Sequence, residues 1–425
     1  MEIPRDVISQ IVQWYTGRRM TLLLVSKWVA TVAITCVDID DDTHIYGCVI
    51  PVRNVRTVDT CGERSIAEIL FLNPLRLCIR GTRLYDTMPT RLVKLITSLH
   101  AVPYLHNLTT LTSLNITSGK TDEPIDLTAL IHLRKLTTSL PVHIDGLALV
   151  ALHLEEVELA TVTCTTLRKL IVENATPPEL APQIQLDEFR FSAVEIPESY
   201  LEHTRTLSRL CADDSKVPDG FYNLQLCKFD AWRIPTTNIS AIAWTSLQRL
   251  KCFDTTPAIT SPCIMLTALS TNNVTWFRIH KAMFPALVSL KLNSNDIIDS
   301  DVSDLTTLTR LQLRPGATCN SYTGAAFRNL VSLRSLQFSH NYVVEARGLS
   351  HLDNLTTLDI VCTRINESWL WSAFDRHRSL YGVTTANPLQ HAARRGFAYF
   401  FYNNKYNIES SPIIKKYHRK YRISN

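Results

Sequence analysis

The acidic side chains of this chain do not match a known catalytic or metal-binding pattern. The densest acidic run, residues 38–42, could suggest a calcium loop. A helix–loop–helix calcium site has Gly at the sixth position and Glu at the twelfth, where this chain has Thr43 and Val49. Adjacent carboxylates such as Glu155 and Glu156 would point to opposite faces of a strand, which is poor geometry for shared acid–base work. Without a Walker loop, a G-x-S-x-G or an H-E-x-x-H motif, the sequence predicts a solvated acidic loop at 38–42, no enzyme active site, no cofactor and no metal.

Basic side chains, by contrast, recur at alternate positions of short apolar stretches in the second half of the chain. Alternate residues of a strand share one face, and guanidinium and ammonium groups gathered on one face bind carboxylates or phosphates. The pattern therefore favours a surface for an acidic or phosphorylated protein segment. The alternative is that these strand positions are merely solvated. The candidate residues are Arg249, Lys251, Arg278, His280, Lys291, Arg310 and Arg314.

A repeated apolar pattern must position these basic side chains. Residues 287–295 read L-x-x-L-x-L-x-x-N, in which Leu290 and Leu292 are two apart and share one face of a short strand. The pattern recurs at intervals of about 19 to 25 residues, as in leucine-rich repeats. Clear frames begin at Leu72, Leu111, Leu167, Leu186, Leu207, Leu226, Leu247, Leu287, Leu308, Leu333 and Leu355, and weaker ones at Leu92, Leu133 and Leu154.

The repeats predict an α/β leucine-rich-repeat solenoid. It is expected to be curved, with short parallel strands on its concave face and mostly turns, 3₁₀ segments and short helices on its convex face. The register near 252–287 is open, because Leu266-Leu269 keeps the period whereas Val274-Phe277-Ile279 has the better strand pattern. Only Asn295 and Asn341 occupy the position of the repeat asparagine. Small or hydroxylic residues are expected to replace the asparagine elsewhere, at Gly119, Ser215, Thr255, Gly316 and Thr363.

The same frames predict that the concave face is polarised. Early strands are expected to present carboxylates, with two basic side chains between them, and later strands present the basic residues named above. The early residues are Glu156, Glu158, Glu173 and Glu188, with Lys169 and Arg190.

Residues 1–35 form a separate helical unit in this prediction. Ile3-Pro4-Arg5-Asp6-Val7-Ile8, followed by Leu22 to Trp28, resembles an F-box, which opens with an apolar-Pro-x-acid signature and closes with Val-Ser-Lys near a Trp. The resemblance implies that the unit binds the small Skp-type adaptor of a cullin ubiquitin ligase. The alternative is a plain helical cap, which every repeat array needs at its ends. The adaptor-binding residues implied are Ile3, Pro4, Val7, Ile8, Ile11, Leu22, Val25 and Trp28.

The chain is thus divided into an F-box-like unit at 1–35, irregular leucine-rich repeats at 36–385 and a C-terminal cap at 386–425. The stretch 387–396, Asn-Pro-Leu-Gln-His-Ala-Ala-Arg-Arg-Gly, resembles the first helix of an ankyrin repeat. From Arg394 onward the tail has eight lysines and arginines against one acid, Glu409, and eight aromatic residues. Basic and aromatic residues together can contact nucleic acid, but packing of the aromatics on the last repeat is the favoured interpretation.

The composition of the chain also predicts its cellular compartment. The 11 cysteines never form C-x-x-C, the start of the chain has no apolar signal region, and no apolar run is long enough for a membrane helix. These features predict an intracellular, cytoplasmic protein. The seven N-x-S/T sequons are therefore interpreted as part of the repeat sequence and not as glycosylation sites. The sequence favours a non-enzymatic F-box-type substrate adaptor. The alternative is a structural or scaffolding protein, for example a viral particle component, whose N-terminal helices only cap the solenoid. Divergent repeats with such ends also resemble proteins encoded by large DNA viruses, which is compatible with either function.

Overall fold

The chain forms two compact units, residues 1–207 and 208–425, each built on parallel strands. The computed structural model describes residues 36–39, 57–60, 75–79, 91–98, 105–116, 119, 121, 123–159, 161–218, 220–221, 224–234, 245–255, 259, 261–272, 279–293, 302–314, 327–339, 351–361 and 382–385. The predicted F-box-like unit and the C-terminal cap lie outside these residues, so both helical caps stay predictions.

The first unit contains a sheet of nine described strands. The strands of successive repeats pair in parallel. Two smaller parallel pairs, Ile125–Asp126 with Val142–His143 and Thr161–Val162 with Glu179–Leu180, lie outside that sheet. A 3₁₀ helix spans Glu198–His203. The strands are β1 Cys36–Ile39, β2 Thr57–Thr60, β3 Arg76–Ile79, β4 Lys94–Thr97, β5 Ser113–Ile116, β6 Ile125–Asp126, β7 Lys135–Thr138, β8 Val142–His143, β9 Ala151–Glu155, β10 Thr161–Val162, β11 Lys169–Glu173, β12 Glu179–Leu180 and β13 Glu188–Ser192.

The second unit contains nine further described strands, again parallel and paired in chain order. Their registers are unbroken, so each residue lies beside the equivalent residue of the next repeat. The strands are β14 Arg209–Asp213, β15 Lys228–Trp232, β16 Arg249–Phe253, β17 Ala268–Asn272, β18 Ser289–Asn293, β19 Arg310–Leu313, β20 Ser335–Ser339, β21 Thr357–Val361 and β22 Gly382–Thr385.

The core lies on one side of the sheet strands whose side chains are described: in β4, β5, β7, β9, β11 and β13 to β19 the second and fourth residues are buried and the others are not. Leu290 and Leu292 of β18 are each 1% exposed, as the two-residue spacing predicted. The leucine that begins each described frame is buried as well, for example Leu247 and Leu287. Each such side chain contributes about 1.5 to 3 kcal/mol through burial, and the leucine pattern is therefore what holds the coils together. The predicted solenoid of short parallel leucine-rich strands is confirmed.

The structure decides or corrects three details of the sequence prediction. Near 252–287 the strand follows the Leu266-Leu269 frame, because β17 must align with β16 and β18 on either side. The frame predicted to begin at Leu154 was wrong, since Leu149, Leu152 and Leu154 are the buried residues of that repeat. Asp38, predicted to begin an acidic loop, lies in strand β1.

Left-handed backbone recurs at one position of the repeat, directly after the strand. Glu156, Asn174, Ala193, Asp214, Arg233 and Asp254 all have φ between 46° and 54°. At five of these positions the N–H donates to the last strand carbonyl of the next coil; Glu156 bonds Glu173 at 2.9 Å, and Arg233 bonds Phe253 at 2.8 Å. The turn thus adds one inter-coil hydrogen bond beyond the strand ladder, at the cost of a conformation that side chains other than Gly disfavour.

Replacing Ala193 by Val should lower the free energy of unfolding by about 1 to 2 kcal/mol, because a β-branched side chain is poorly tolerated at φ 54°. Urea unfolding followed by circular dichroism measures the loss. The matched control is Ala151→Val in strand β9, where a β-branched residue suits the extended backbone. Equal destabilisation by the two substitutions would contradict this account.

Hydroxyl side chains on both sides of the first frame leucine connect successive coils. The residue before this leucine donates to the carbonyl of the equivalent leucine one coil earlier, as Thr166 does to Leu149 at 2.7 Å. The residue after it bonds the equivalent residue of the earlier coil, as Thr356 does to Arg334 at 2.9 Å. The predicted replacement of the asparagine is confirmed at Thr255, whose Oγ1 accepts a hydrogen bond from the Ile234 N–H at 2.8 Å. Other hydroxyls that flank the first frame leucine and donate to a carbonyl of the preceding coil are those of Thr110, Thr112, Thr206, Ser246, Thr267, Thr307 and Thr309.

Thr166→Val should lower the free energy of unfolding by about 1 kcal/mol, because it removes a hydrogen-bond donor from a part-buried carbonyl and keeps the side-chain volume. The neighbouring Thr165 is exposed, so Thr165→Val is the control and should change stability by less than about 0.5 kcal/mol. Thermal and urea unfolding compare the two proteins. An equal loss from both would remove the role assigned to the hydroxyl.

Candidate functional site

The strand face of the second unit carries three rows of side chains, contributed by the first and third residues of β14 to β20 and by the fifth residues of β14 to β18. Parallel in-register pairing places equivalent residues of neighbouring strands about 4.8 Å apart. Residues from repeats some 20 positions apart in the sequence therefore become neighbours. This is the face on which the sequence predicted the basic candidates.

A concavity of about 440 Å³ lies on this face over strands β16 to β20. Its floor is low because Ala268, Ser270 and Ser289 occupy outward positions of β17 and β18. Four basic side chains from three strands line it. We call the concavity with these residues the basic hollow, defined by Arg249, Lys251, Lys291 and Arg310.

Positive charge in the basic hollow is incompletely balanced. The Lys251 Nζ lies 3.4 Å from the Asp230 carboxylate. Arg249, Lys291 and Arg310 form no ion pair within the part of the chain that the structure describes. Partial burial, with the nearby charges of Arg314 and Lys251, lowers the pKa of Lys291 from its ordinary value. A bound anion would relieve this repulsion, so the hollow is electrostatically suited to a carboxylate or phosphate.

Five of the seven predicted basic residues lie together. Four define the basic hollow, and Arg314 follows β19, where its guanidinium donates to the Gln312 amide oxygen at 2.8 and 3.1 Å when that amide is oriented to accept. His280 does not lie on a strand; its carbonyl accepts hydrogen bonds from Met283 and Phe284 in a turn. The reason is the register of β17, which spans Ala268–Asn272 and leaves His280 outside the strand. Arg278 lies outside the described residues, as do the adaptor-binding residues Ile3, Pro4, Val7, Ile8, Ile11, Leu22, Val25 and Trp28.

An aromatic pair beside the basic hollow was not predicted from the sequence. Trp232 and Phe253 end strands β15 and β16, pair directly in register, and stack with ring centroids 3.9 Å apart and an interplanar angle of 20°. Phe253 also lines the hollow. Both residues hold the fifth, outward position of their strands, so the alternation that predicts the basic candidates also predicts that these rings face outward.

Two close pairs of charged or ionisable side chains lie on the strand face of the first unit. Lys169 Nζ lies 2.9 Å from the Glu188 carboxylate, and His153 Nε2 lies 3.5 Å from that of Glu173. The prediction that Glu156 and Glu158 belong to this face was wrong, because the strand ends at Glu155 and both residues follow it. The acidic part of the predicted polarity is therefore smaller than expected.

The described residues offer little support for a metal site, a reactive thiol or a membrane-spanning helix. Among the residues described, no three His, Cys, Asp or Glu side chains are close enough together to hold a metal ion. Burial raises the pKa of the Cys263 thiol to about 12 and also raises the pKa of the Cys252 thiol, so neither is a reactive nucleophile at neutral pH. Within the same residues, no helix has the length and apolar character that crossing a bilayer requires.

Comparison with known proteins returns repeat proteins at low similarity. No family model matches the chain, and no curated protein matches it. Similar solved structures include an internalin from Listeria monocytogenes, with 18% identity over 67% of this chain and 90% of that one and a TM-score of 0.41. A Leptospira interrogans leucine-rich-repeat protein has 16% identity over 78% and 90% and a TM-score of 0.45. The Toll–Spatzle complex of Drosophila has 16% identity over 84% and 54% and a TM-score of 0.41. At these values the argument for the repeat fold remains the strand pairing and the buried leucines.

Proposed function

We propose that this chain is a non-enzymatic protein-recognition module whose basic hollow holds an acidic or phosphorylated segment of a partner protein. The observation that carries the proposal is the set of three basic side chains, Arg249, Lys291 and Arg310, that face one concavity without an ion-pair partner among the described residues. Guanidinium and ammonium groups form short, charge-assisted hydrogen bonds with phosphate and carboxylate oxygens. The volume of about 440 Å³ lies in the range of ordinary ligand sites.

Peptide binding tests this proposal directly. Fluorescein-labelled peptides that contain a phosphoserine or a cluster of aspartates are titrated with the purified full chain, and fluorescence anisotropy reports binding. Peptides with serine and asparagine in place of the charged residues are the controls. Binding that requires the charge and weakens with salt supports the proposal. Equal binding of charged and uncharged peptides, or none to the folded protein, would contradict it.

The finer proposal concerns coupling to ubiquitin ligases and rests on the F-box-like motif, in particular Pro4, Ile11 and Trp28. In this proposal residues 1–35 bind a Skp-type adaptor, and the repeats present the captured protein to a cullin ligase in the cytoplasm. Purified chain is titrated with a Skp-type adaptor by calorimetry. Micromolar binding that is lost in Pro4→Ala plus Ile11→Asp, while the peptide is still bound, supports the proposal. No adaptor binding by a folded chain would leave the motif as a plain cap.

A structural or scaffolding role is the second candidate, favoured by apolar side chains exposed away from the strand face. Ile131 and Val331 are 62% and 53% exposed, respectively. Such residues could contact further copies of the chain in an assembly. Sedimentation velocity across a range of concentrations distinguishes the two functions. Concentration-dependent association that Val331→Asp abolishes would favour a scaffold, and a monomer that binds acidic peptide would favour recognition.

A further inference from the structure

The stacked pair Trp232 and Phe253 is an aromatic surface on the strand face that the charge argument does not use. The Trp232 side chain is 39% exposed although the residue is large and apolar. Stacking on Phe253, at 3.9 Å between centroids, holds the indole in place. An exposed ring with a fixed orientation can bury an apolar or aromatic side chain of a partner at low entropic cost, and tryptophans of this kind are frequent centres of binding energy.

The distance between this pair and the basic hollow fits an extended peptide. Phe253 is the last residue of β16, and Lys291 is the central residue of β18, two strands further on. From a strand spacing of about 4.8 Å and a rise of about 3.3 Å per residue, the two positions are about 12 Å apart. An extended peptide covers that distance in about three to four residues. One short segment can therefore contact both sites.

Carboxylates near the aromatic pair separate the surface into two chemically different ends. Asp230 lies on the same strand as Trp232 and pairs with Lys251 at 3.4 Å. Asp213 lies on the neighbouring strand and pairs with Arg233 at 2.9 Å. These groups leave little excess positive charge for a second phosphate beside the rings. A single-stranded nucleic acid has a phosphate at every base, so the distribution of charge favours a peptide with one anionic region.

From this arrangement we infer that the partner segment is an extended peptide with two anchors: an acidic or phosphorylated residue over Lys291, and an aromatic or large apolar residue about three to four positions away against Trp232 and Phe253. The inference rests on the proposed function and adds the sequence pattern of the ligand. The strands supply the anion site and the apolar site from different repeats, and the spacing between repeats sets the spacing between anchors.

Matched phosphopeptides test the inference with the full chain. All contain one phosphoserine in a Gly-Ser background, with Trp three or four residues before or after it. In the control peptides Trp is adjacent to the phosphoserine or is replaced by Ala. A separated Trp is expected to raise the affinity about three- to tenfold, the range for an aromatic contact. Trp232→Ala should remove this gain, whereas Trp232→Phe and the off-face control Ile264→Ala should retain it.

The remaining outcomes separate this inference from the proposed function. If peptides with and without a separated Trp bind equally, and Lys291→Glu weakens both, the two-anchor inference is overturned and the proposed function stands. If the folded chain binds no phosphopeptide, both are overturned. A single-stranded oligothymidine or oligouridine that binds more tightly than every peptide, and depends on Trp232, would also overturn the inference and assign the face to nucleic acid.

Discussion

Replacing Phe229 by Ala is expected to lower the free energy of unfolding by about 3 to 5 kcal/mol, the usual range for a buried phenylalanine. The side chain projects from β15 into the core and has no exposed surface. In the sheet register it lies between Leu210 of β14 and Leu250 of β16, which are also fully buried. Truncation therefore leaves a cavity between coils, where each coil depends on its neighbours. Urea unfolding monitored by far-ultraviolet circular dichroism measures the loss.

The control for this prediction makes the same change on the other side of the sheet. Phe253 belongs to the adjacent strand but projects from the strand face, where its main contact is the stack on Trp232. Phe253→Ala should therefore cost about 0.5 to 1.5 kcal/mol. A loss as large as that of Phe229→Ala would show that Phe253 is packed as tightly as a core residue. The strand face would then not be an open surface, and the assignment of the hollow as a binding surface would be contradicted.

Charge reversal at Lys291 is expected to weaken the binding of an acidic peptide about 100-fold, as for other charges that contact a ligand directly. The substitution removes a cation from the middle of the hollow. It also introduces a carboxylate near Lys251 and Arg314, whose charges already act on Lys291 and lower its pKa. Those two cations would then pair with Glu and become less available to the ligand. Fluorescence anisotropy with a labelled phosphoserine peptide, at constant ionic strength, gives the change in Kd.

Arg328→Glu is the matched control, because it changes the net charge by the same amount at an exposed position outside the strands. It should alter the Kd by less than about twofold, apart from long-range effects that salt screens. Equal weakening by the two substitutions would indicate attraction to the whole chain and not a site in the basic hollow. Thermal unfolding of both variants confirms that each is folded before binding is compared.

The repeat was accessible from the sequence because its signal is local. Within nine residues, the spacing of Leu287, Leu290 and Leu292 reports which side of the strand is buried, and no distant residue is needed for that inference. The residues at alternate positions of the same strand must face the opposite side, so the outward placement of Lys251, Lys291 and Arg310 could be predicted as well. The F-box and ankyrin resemblances are also local patterns, but they fall outside the described residues and stay predictions.

Ambiguous frames needed the tertiary structure. Around residues 266–279 two apolar patterns each satisfied the spacing, and the side chains alone did not distinguish them. Pairing decided between them, because β17 must align Leu269 with Leu250 on one side and with Leu290 on the other. That alignment moved His280 from the predicted surface into a turn. The same effect shifted the strand at 151–155 and took Glu156 and Glu158 off the strand face.

The sequence by itself determined that the chain repeats and, where only one frame fits, which leucines are buried and which side chains face outward, since each of these depends on spacing within one coil. Only the tertiary structure decided which outward residues meet. Arg249, Lys291 and Arg310 come from three repeats and share one hollow because parallel strands are paired in register and small residues lie between them. Trp232 contacts Phe253 for the same reason. Pairing is a long-range property of the fold, so the composition of a surface built across coils is established only when the coils stack.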